Sequence, residues 1–170
     1  MSNDTEARFR EVFSHLGAVY AYASRRGSRD AEGLAAEVMT IAWRRLADVP
    51  ADDPLPWLYA TARNLLLAEL RRAARAAGAT SRDRGVAPAP DAAALDPELA
   101  QALLGLAPRD REALLLVAWE DLTPAQAART LGINATAFRV RLLRARRRLQ
   151  AKLADKPPPT DKQELRLERT

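Results

Sequence analysis

The sequence contains no cysteine, a single histidine and only 7 glycines, and aromatic residues make up 5% of it. Without cysteine there can be no disulfide, thiolate zinc site, iron–sulfur cluster or cysteine nucleophile, so nothing points to an oxidising compartment. The one histidine, His15, stands beside the apolar Leu16 and leaves no catalytic triad to assemble. Few glycines and many alanines, leucines and arginines favour helices, so we expect an all-α fold.

Membrane, targeting and cofactor signals are also missing. No apolar run reaches the length of about 18 residues that a spanning helix needs, and residues 1–11 lack the apolar centre of a signal peptide. The chain has no glycine-rich phosphate loop, and the acidic pair Asp52 and Asp53, in a loop bounded by prolines, is more typical of a solvated turn than of a metal site. We therefore expect a soluble, cytoplasmic protein that is not an enzyme and uses no cofactor or metal.

Positive charge is concentrated in two short segments. The net charge is +5, yet residues 57–76 carry 4 basic and 1 acidic side chains, and residues 134–153 carry 7 basic and none that is acidic. A polyanion is the natural partner of such surfaces.

Composition divides the chain into two helical domains. Residues 76–95 are rich in Ala, Pro and Gly without helical periodicity and are predicted to be a flexible linker. The linker separates a first domain, residues 6–75, from a second, residues 96–153. Residues 154–170, which contain three consecutive prolines, form a polar tail.

Three helices are predicted in the first domain. Apolar residues at helical spacing indicate one helix over residues 6–25 and a second that begins at a cap, Ser28 or Asp30, and runs to Pro50. The third begins near Pro56, after a loop stiffened by three prolines over residues 50–56.

Helix signals are stronger in the second domain. Asp96 followed by Pro97 predicts one helix start, and Pro108 predicts another. The sequence Thr123-Pro124-Ala125-Gln126 is a capping box with proline at the first helical position. Gly132 ends that short helix, and Asn134 caps a last long one, residues 135–152.

Two helices joined by a short glycine turn, the second of them basic, are typical of a helix-turn-helix that places its second helix in the major groove. The side chains that point away from the apolar stripe of this recognition helix, together with the basic Arg147, are the predicted DNA contacts: Thr136, Arg139, Val140, Leu143, Arg144 and Arg147. Arg139 and Arg144 are candidates for guanine or phosphate, whereas Arg141, Arg146, Arg147 and Arg148 suit phosphates. The alternative is a basic helix that is merely solvated.

The sequence resembles the extracytoplasmic-function group of bacterial RNA polymerase sigma factors, of the sigma-70 family, over nearly its whole length apart from the tails and the linker. The resemblance is carried in order by Asp30-Ala31-Glu32 to Ala42-Trp43, by Trp57 to Leu65 with Leu70-Arg71-Arg72, and by Leu106-Ala107-Pro108-Arg109-Asp110-Arg111-Glu112 to Leu142-Leu143-Arg144-Ala145-Arg146. It implies that the first domain binds core RNA polymerase and recognises and melts minus-10 DNA. The second domain would then read the minus-35 element.

The resemblance also implies roles for particular residues. Polymerase would contact the acidic helix through Asp30, Glu32 and Glu37; the alternative is carboxylates that simply favour a helix N-terminus. Minus-10 DNA would contact Pro54, Leu55, Arg63, Asn64, Arg71, Arg72 and Arg75; the alternative is a solvated face. Members of the group are commonly held inactive by an anti-sigma factor, which adds a third expected partner to polymerase and promoter DNA.

The sequence departs from the group's pattern at three places. Gly33 and Ala36 stand where polar residues are usual, and the loop of residues 50–56 offers Pro54 and Leu55 where an aromatic side chain commonly helps to hold a flipped base. The linker is nearly neutral rather than acidic.

Two other functions remain open at this level. A stand-alone helix-turn-helix regulator would bind a palindrome as a dimer without polymerase. A helical interaction protein would have no affinity for DNA.

Overall fold

The computed structural model describes residues 3–78 and 95–155, and within those ranges the fold is all-α, as predicted. The helices are α1 (Asn3–Phe13), α2 (Leu16–Arg25), α3 (Ala31–Arg44), α4 (Leu55–Ala76), α5 (Pro97–Leu104), α6 (Pro108–Ala118), α7 (Pro124–Leu131) and α8 (Ala135–Ala154). A short 3₁₀ turn, Leu46–Asp48, follows α3. Most of the predicted linker and of the predicted polar tail lies outside the described residues. Where the chain is described, no helix is both long and apolar enough to cross a membrane.

The first predicted helix, residues 6–25, is divided into α1 and α2 at Ser14 and His15. Ser14 donates its hydroxyl to the carbonyl of Glu11 at 2.6 Å, a local bond of the kind that competes with helix continuation. Val12 and Val19 are buried on either side of the break. The apolar spacing therefore continues across the interruption, which is why it suggested a single helix.

The first domain is built around the packing of α2, α3 and α4. Val19 from α2, Val38 from α3 and Leu58 from α4 are fully buried. Glu69 on α4 accepts hydrogen bonds at 3.2 Å from the Ser28 hydroxyl and the Arg29 amide. This carboxylate fixes the turn between α2 and α3, and with it the start of the acidic helix.

The second domain follows the capping signals of its sequence. Asp96 accepts from the amides of Glu98 and Leu99, and Asn134 accepts from Ala137 at 2.7 Å. The capping box between Thr123 and Gln126 is confirmed in both directions. Gly132 adopts φ 66°, a left-handed conformation that glycine accepts without steric cost and that turns the chain from α7 to α8.

The two domains are in contact. Helix α7 of the second domain packs along α4 of the first, and the Thr130 hydroxyl lies 3.4 Å from the carbonyl of Pro56. Buried residues of both domains form one hydrophobic cluster. The sequence analysis predicts two domains on a flexible linker, so this contact was not predicted.

Candidate nucleic-acid interface

The recognition helix α8 has one buried and one open face. Phe138, Leu142 and Ala145 are buried in the second domain. Every predicted minus-35 contact is exposed on α8: Thr136, Arg139, Val140, Leu143, Arg144 and Arg147. Val140 and Leu143 are 43% and 50% exposed, so apolar groups able to meet a thymine methyl lie among the guanidinium groups.

A cleft of about 620 Å³ lies between the start of α6 and the open face of α8. Pro108 and Arg109 line it from α6, and Val140 and Arg144 line it from α8. Asp110 on α6 forms an ion pair with Arg148. This pair links the two helices, so Arg148, one of the predicted phosphate contacts, also has a partner inside the domain.

The predicted minus-10 residues fall into two groups along α4. Asn64, Arg71, Arg72 and Arg75 are exposed, the three arginines together at the C-terminal end of the helix. Pro54 and Leu55 are half-buried at its start. The structure thus brings three of the cations together in the open and separates them from Arg63.

Arg63 is engaged by a carboxylate of the other domain. Its Nε donates to Glu112 Oε1, and its Nη2 donates to Glu112 Oε2 at 3.0 Å, a two-bond pair. These hydrogen bonds raise the pKa of the Arg63 guanidinium, so the group is firmly cationic. Arg63 therefore carries charge but is not free at this surface.

The predicted polymerase contacts lie on α3. Asp30, Glu32 and Glu37 are all exposed. Asp30 is also the N-cap, accepting from the Gly33 amide at 2.8 Å. A Cβ atom on residue 33 would stand 2.2 Å from Asp30 Oδ2, so glycine at this position lets the cap approach closely.

Contacts between the domains include charged residues that the sequence analysis did not single out. Glu120 accepts from Arg25 Nη2 and from Arg26 Nη1, each at 2.5 Å. The side chains of Arg26 and Glu120 are 0% exposed. Together with Arg63 and Glu112 these side chains form what we call the interdomain cluster: Arg25, Arg26, Arg63, Glu112 and Glu120. The available signal was a pair of carboxylates bracketing the apolar run Leu114–Leu116, an unusual place for solvated charges.

Two tyrosines pack beneath this cluster. The Tyr22 and Tyr59 rings stack with centroids 5.0 Å apart, and the Arg26 guanidinium lies 3.7 Å from the centre of the Tyr22 ring. Burial raises the pKa of both phenols to about 12. A cation over an aromatic face gains electrostatic stabilisation, which helps to offset the desolvation of Arg26.

Asp53 differs from its predicted role. Its carboxylate accepts from Gln126 Nε2 at 3.2 Å and pairs with Arg129 on α7. It is therefore a contact between the domains rather than a solvated turn residue or a metal ligand.

Two family models match the chain. Residues 12–76 match Sigma-70 region 2, and residues 97–149 match Sigma-70 region 4. The matched ranges hold the acidic helix α3 and α4 in the first domain and the helix-turn-helix in the second. None of the curated proteins matches the chain.

Two solved structures are similar to most of the chain. The sigma factor RpoE of Bartonella quintana, solved with the anti-sigma factor NepR, is 26% identical with a TM-score of 0.63; the match covers 87% of this chain and 97% of that one. CnrH, solved with the cytosolic domain of CnrY, is also 26% identical, with a TM-score of 0.60 and coverage of 87% and 89%.

Proposed function

Because the chain belongs to the extracytoplasmic-function group of the sigma-70 family, we propose that its two domains divide promoter recognition between them. The chain is a sigma factor: it binds core RNA polymerase and directs promoter-specific initiation of transcription. The polymerase carries out the chemistry of RNA synthesis, and the sigma factor supplies recognition.

The second domain, residues 96–153, binds the minus-35 element through the open face of α8. The observation that carries this assignment is the charge of α8, since residues 134–153 contain 7 cations and no carboxylate. Arg139 and Arg144 have the geometry to pair with guanine, and the outer arginines hold phosphates.

The first domain, residues 6–75, binds polymerase and minus-10 DNA. Exposed carboxylates on α3 suit a basic surface of the polymerase, which they would attract at long range and orient on contact. The exposed arginines at the end of α4 suit the backbone of a single strand.

An anti-sigma protein is a further proposed partner. RpoE and CnrH were solved with such a protein and with the cytosolic domain of CnrY, respectively, and both share this chain's arrangement. A factor that acts on polymerase and promoter DNA works in the cytoplasm.

Single-round transcription tests the assignment. Purified core polymerase is incubated with a genomic fragment pool, with and without the chain, and the RNA 5′ ends are sequenced. A sigma factor yields a shared set of start sites that appears only when the chain is present. A dimer that binds a palindrome without polymerase would instead indicate a stand-alone regulator, and no DNA affinity even at low salt would indicate an interaction protein.

A further inference from the structure

We propose that Arg109, at the start of α6, binds a backbone phosphate of the minus-35 duplex in the cleft between α6 and α8. DNA binding by the second domain then extends beyond the helix-turn-helix to α6, a helix to which the sequence analysis assigns no contact with DNA. This inference rests on the proposed function, because it takes the open face of α8 to lie in the major groove.

The cleft is basic. Four arginines and a single carboxylate line it: Arg109 and Asp110 from α6, and Arg141, Arg144 and Arg148 from α8. Asp110 is buried and forms an ion pair with Arg148, so each cancels the charge of the other. The remaining three cations give the cleft a net positive charge, which attracts an anionic group.

Arg109 and Arg141 are available to bind such a group. Neither side chain forms a hydrogen bond or an ion pair with another described residue. Arg109 is exposed and Arg141 is half-buried, whereas Arg148 is already paired with Asp110. A guanidinium group can donate two parallel hydrogen bonds to a phosphate, so the two unpaired arginines suit a phosphate better than Arg148 does.

The cleft lies along one side of the recognition helix. The residues of α8 that line it recur at intervals of three and four, the spacing of one helix side: Ala137, Val140, Arg141, Arg144 and Arg148. A helix is about 10 to 12 Å across with its side chains and the major groove is about 12 Å wide, so both sides of an inserted helix face a phosphate backbone. The start of α6 therefore lies beside the path of one of these backbones.

The cleft also borders the face that is predicted to read bases. Val140 and Arg144 line the cleft and are both predicted minus-35 contacts. A phosphate bound by Arg109 fixes the depth and register of α8 in the groove but carries no sequence information itself. Arg109 is therefore a positioning residue, and its loss should weaken the binding of all sequences alike.

The test uses variants of the full chain that separate the charge at position 109 from the net charge. R109Q removes the cation from an exposed position, and R109K retains it. R10Q changes an exposed arginine on α1, in the first domain, and lowers the net charge by the same amount as R109Q. It is the matched control.

Binding of a random-sequence duplex is titrated by fluorescence anisotropy at several salt concentrations, since a phosphate contact needs no particular sequence. Circular dichroism checks the folding of each variant. We expect R109Q to bind about fivefold more weakly than wild type at about 0.1 M salt, and its slope of log affinity against log salt to be smaller by about one unit. R109K and R10Q should both keep the wild-type slope.

An affinity and a slope for R109Q that match those of R10Q overturn the proposal, as does a loss in R109K equal to that in R109Q. Absence of duplex binding by wild type at about 50 mM salt overturns it as well. Wild-type duplex binding by R109Q together with reduced initiation would place Arg109 against polymerase, which also contradicts the proposal. If R109Q lowers the slope as expected while wild type directs no initiation with core polymerase, the phosphate contact stands and the proposed function is what fails.

Discussion

Asp30 combines a structural role with a proposed binding role, and serine separates the two. Serine caps a helix about as well as aspartate, so D30S should change the free energy of unfolding by less than about 0.5 kcal/mol, whereas D30A should lose about 1 kcal/mol. If the carboxylate also meets polymerase, D30S should weaken polymerase binding. Urea unfolding and a binding titration with core polymerase measure the two effects.

Glu37 provides the comparison for Asp30, because it is exposed on the same helix and does not cap it. E37K should weaken polymerase binding while its circular dichroism stays that of wild type. Wild-type affinity in D30S together with weakened affinity in E37K would show that Asp30 is a cap only.

Tyr22 should make stability depend on alkaline pH. Its pKa is about 12 in the fold against 10.0 for a free phenol, because burial disfavours the ionised form. Between those values the folded chain keeps a proton that the unfolded chain has lost, so the stabilisation is complete below pH 10 and is lost as pH approaches 12. Y22F should therefore show a shallower loss of stability above pH 10, with Tyr59 providing what remains.

At neutral pH, Y22F should be as stable as wild type or more stable by up to about 1 kcal/mol, because the Tyr22 hydroxyl has no hydrogen-bond partner among the described residues. Urea unfolding at a series of pH values measures both effects. A marked loss of stability at neutral pH would mean that the hydroxyl is satisfied.

At the scale of elements, the backbone conformation of Gly132 determines the turn between α7 and α8. Its φ of 66° is unfavourable for a residue with a Cβ, yet apart from the adjoining residues no atom lies within 4 Å of where that Cβ would be. The cost of G132A is therefore backbone strain alone, about 1 to 2 kcal/mol. G132N should cost less, since asparagine tolerates this conformation better. Equal losses for both variants in chemical denaturation would point to a steric cause instead.

The recognition helix allows base readout to be separated from phosphate contact. Arg144 lines the cleft against α6, where R144A should cost about 1 to 3 kcal/mol on the preferred minus-35 site and flatten discrimination at one base pair. R147A should weaken all sequences alike and reduce the salt slope by about one unit. Titration of matched and singly substituted duplexes at several salt concentrations distinguishes them, and equal, sequence-independent losses would remove Arg144 from base readout.

Local signals explain why the elements of the second domain were predictable. The capping box at Thr123, the glycine at 132 and the cap at Asn134 each act within a few residues, so the sequence contains the whole interaction. The break at Ser14 was not predictable from apolar spacing, because Val12 and Val19 keep the same buried face on both sides of it.

At the scale of the whole molecule, the net charge of a segment does not show the ion pairs that its residues form with distant parts of the chain. Residues 57–76 have a net charge of +3, and we therefore expected Arg63 to be one of several unpaired cations. Its partner, Glu112, lies 49 residues away in the sequence. Arg26 and Glu120 are 94 residues apart. No residue near Arg63 or Arg26 in the sequence identifies its partner, whereas the open face of α8 was predictable because its cations and the apolar stripe opposite them belong to one helix.

The interdomain contact should make the two domains unfold together. If each domain is stabilised by the other, unfolding of one domain removes contacts that stabilise the second. Calorimetry of the wild-type chain should therefore show a single unfolding transition. E112Q/E120Q leaves Arg26 and Arg63 without their carboxylates, so separation of the domains becomes favourable and the transition should split in two. D121N/D155N, with the same net charge, should keep the single transition. If wild type already shows two transitions with the same midpoints as E112Q/E120Q, the contact contributes no stability to either domain. The ion pairs would then only orient the two domains relative to each other.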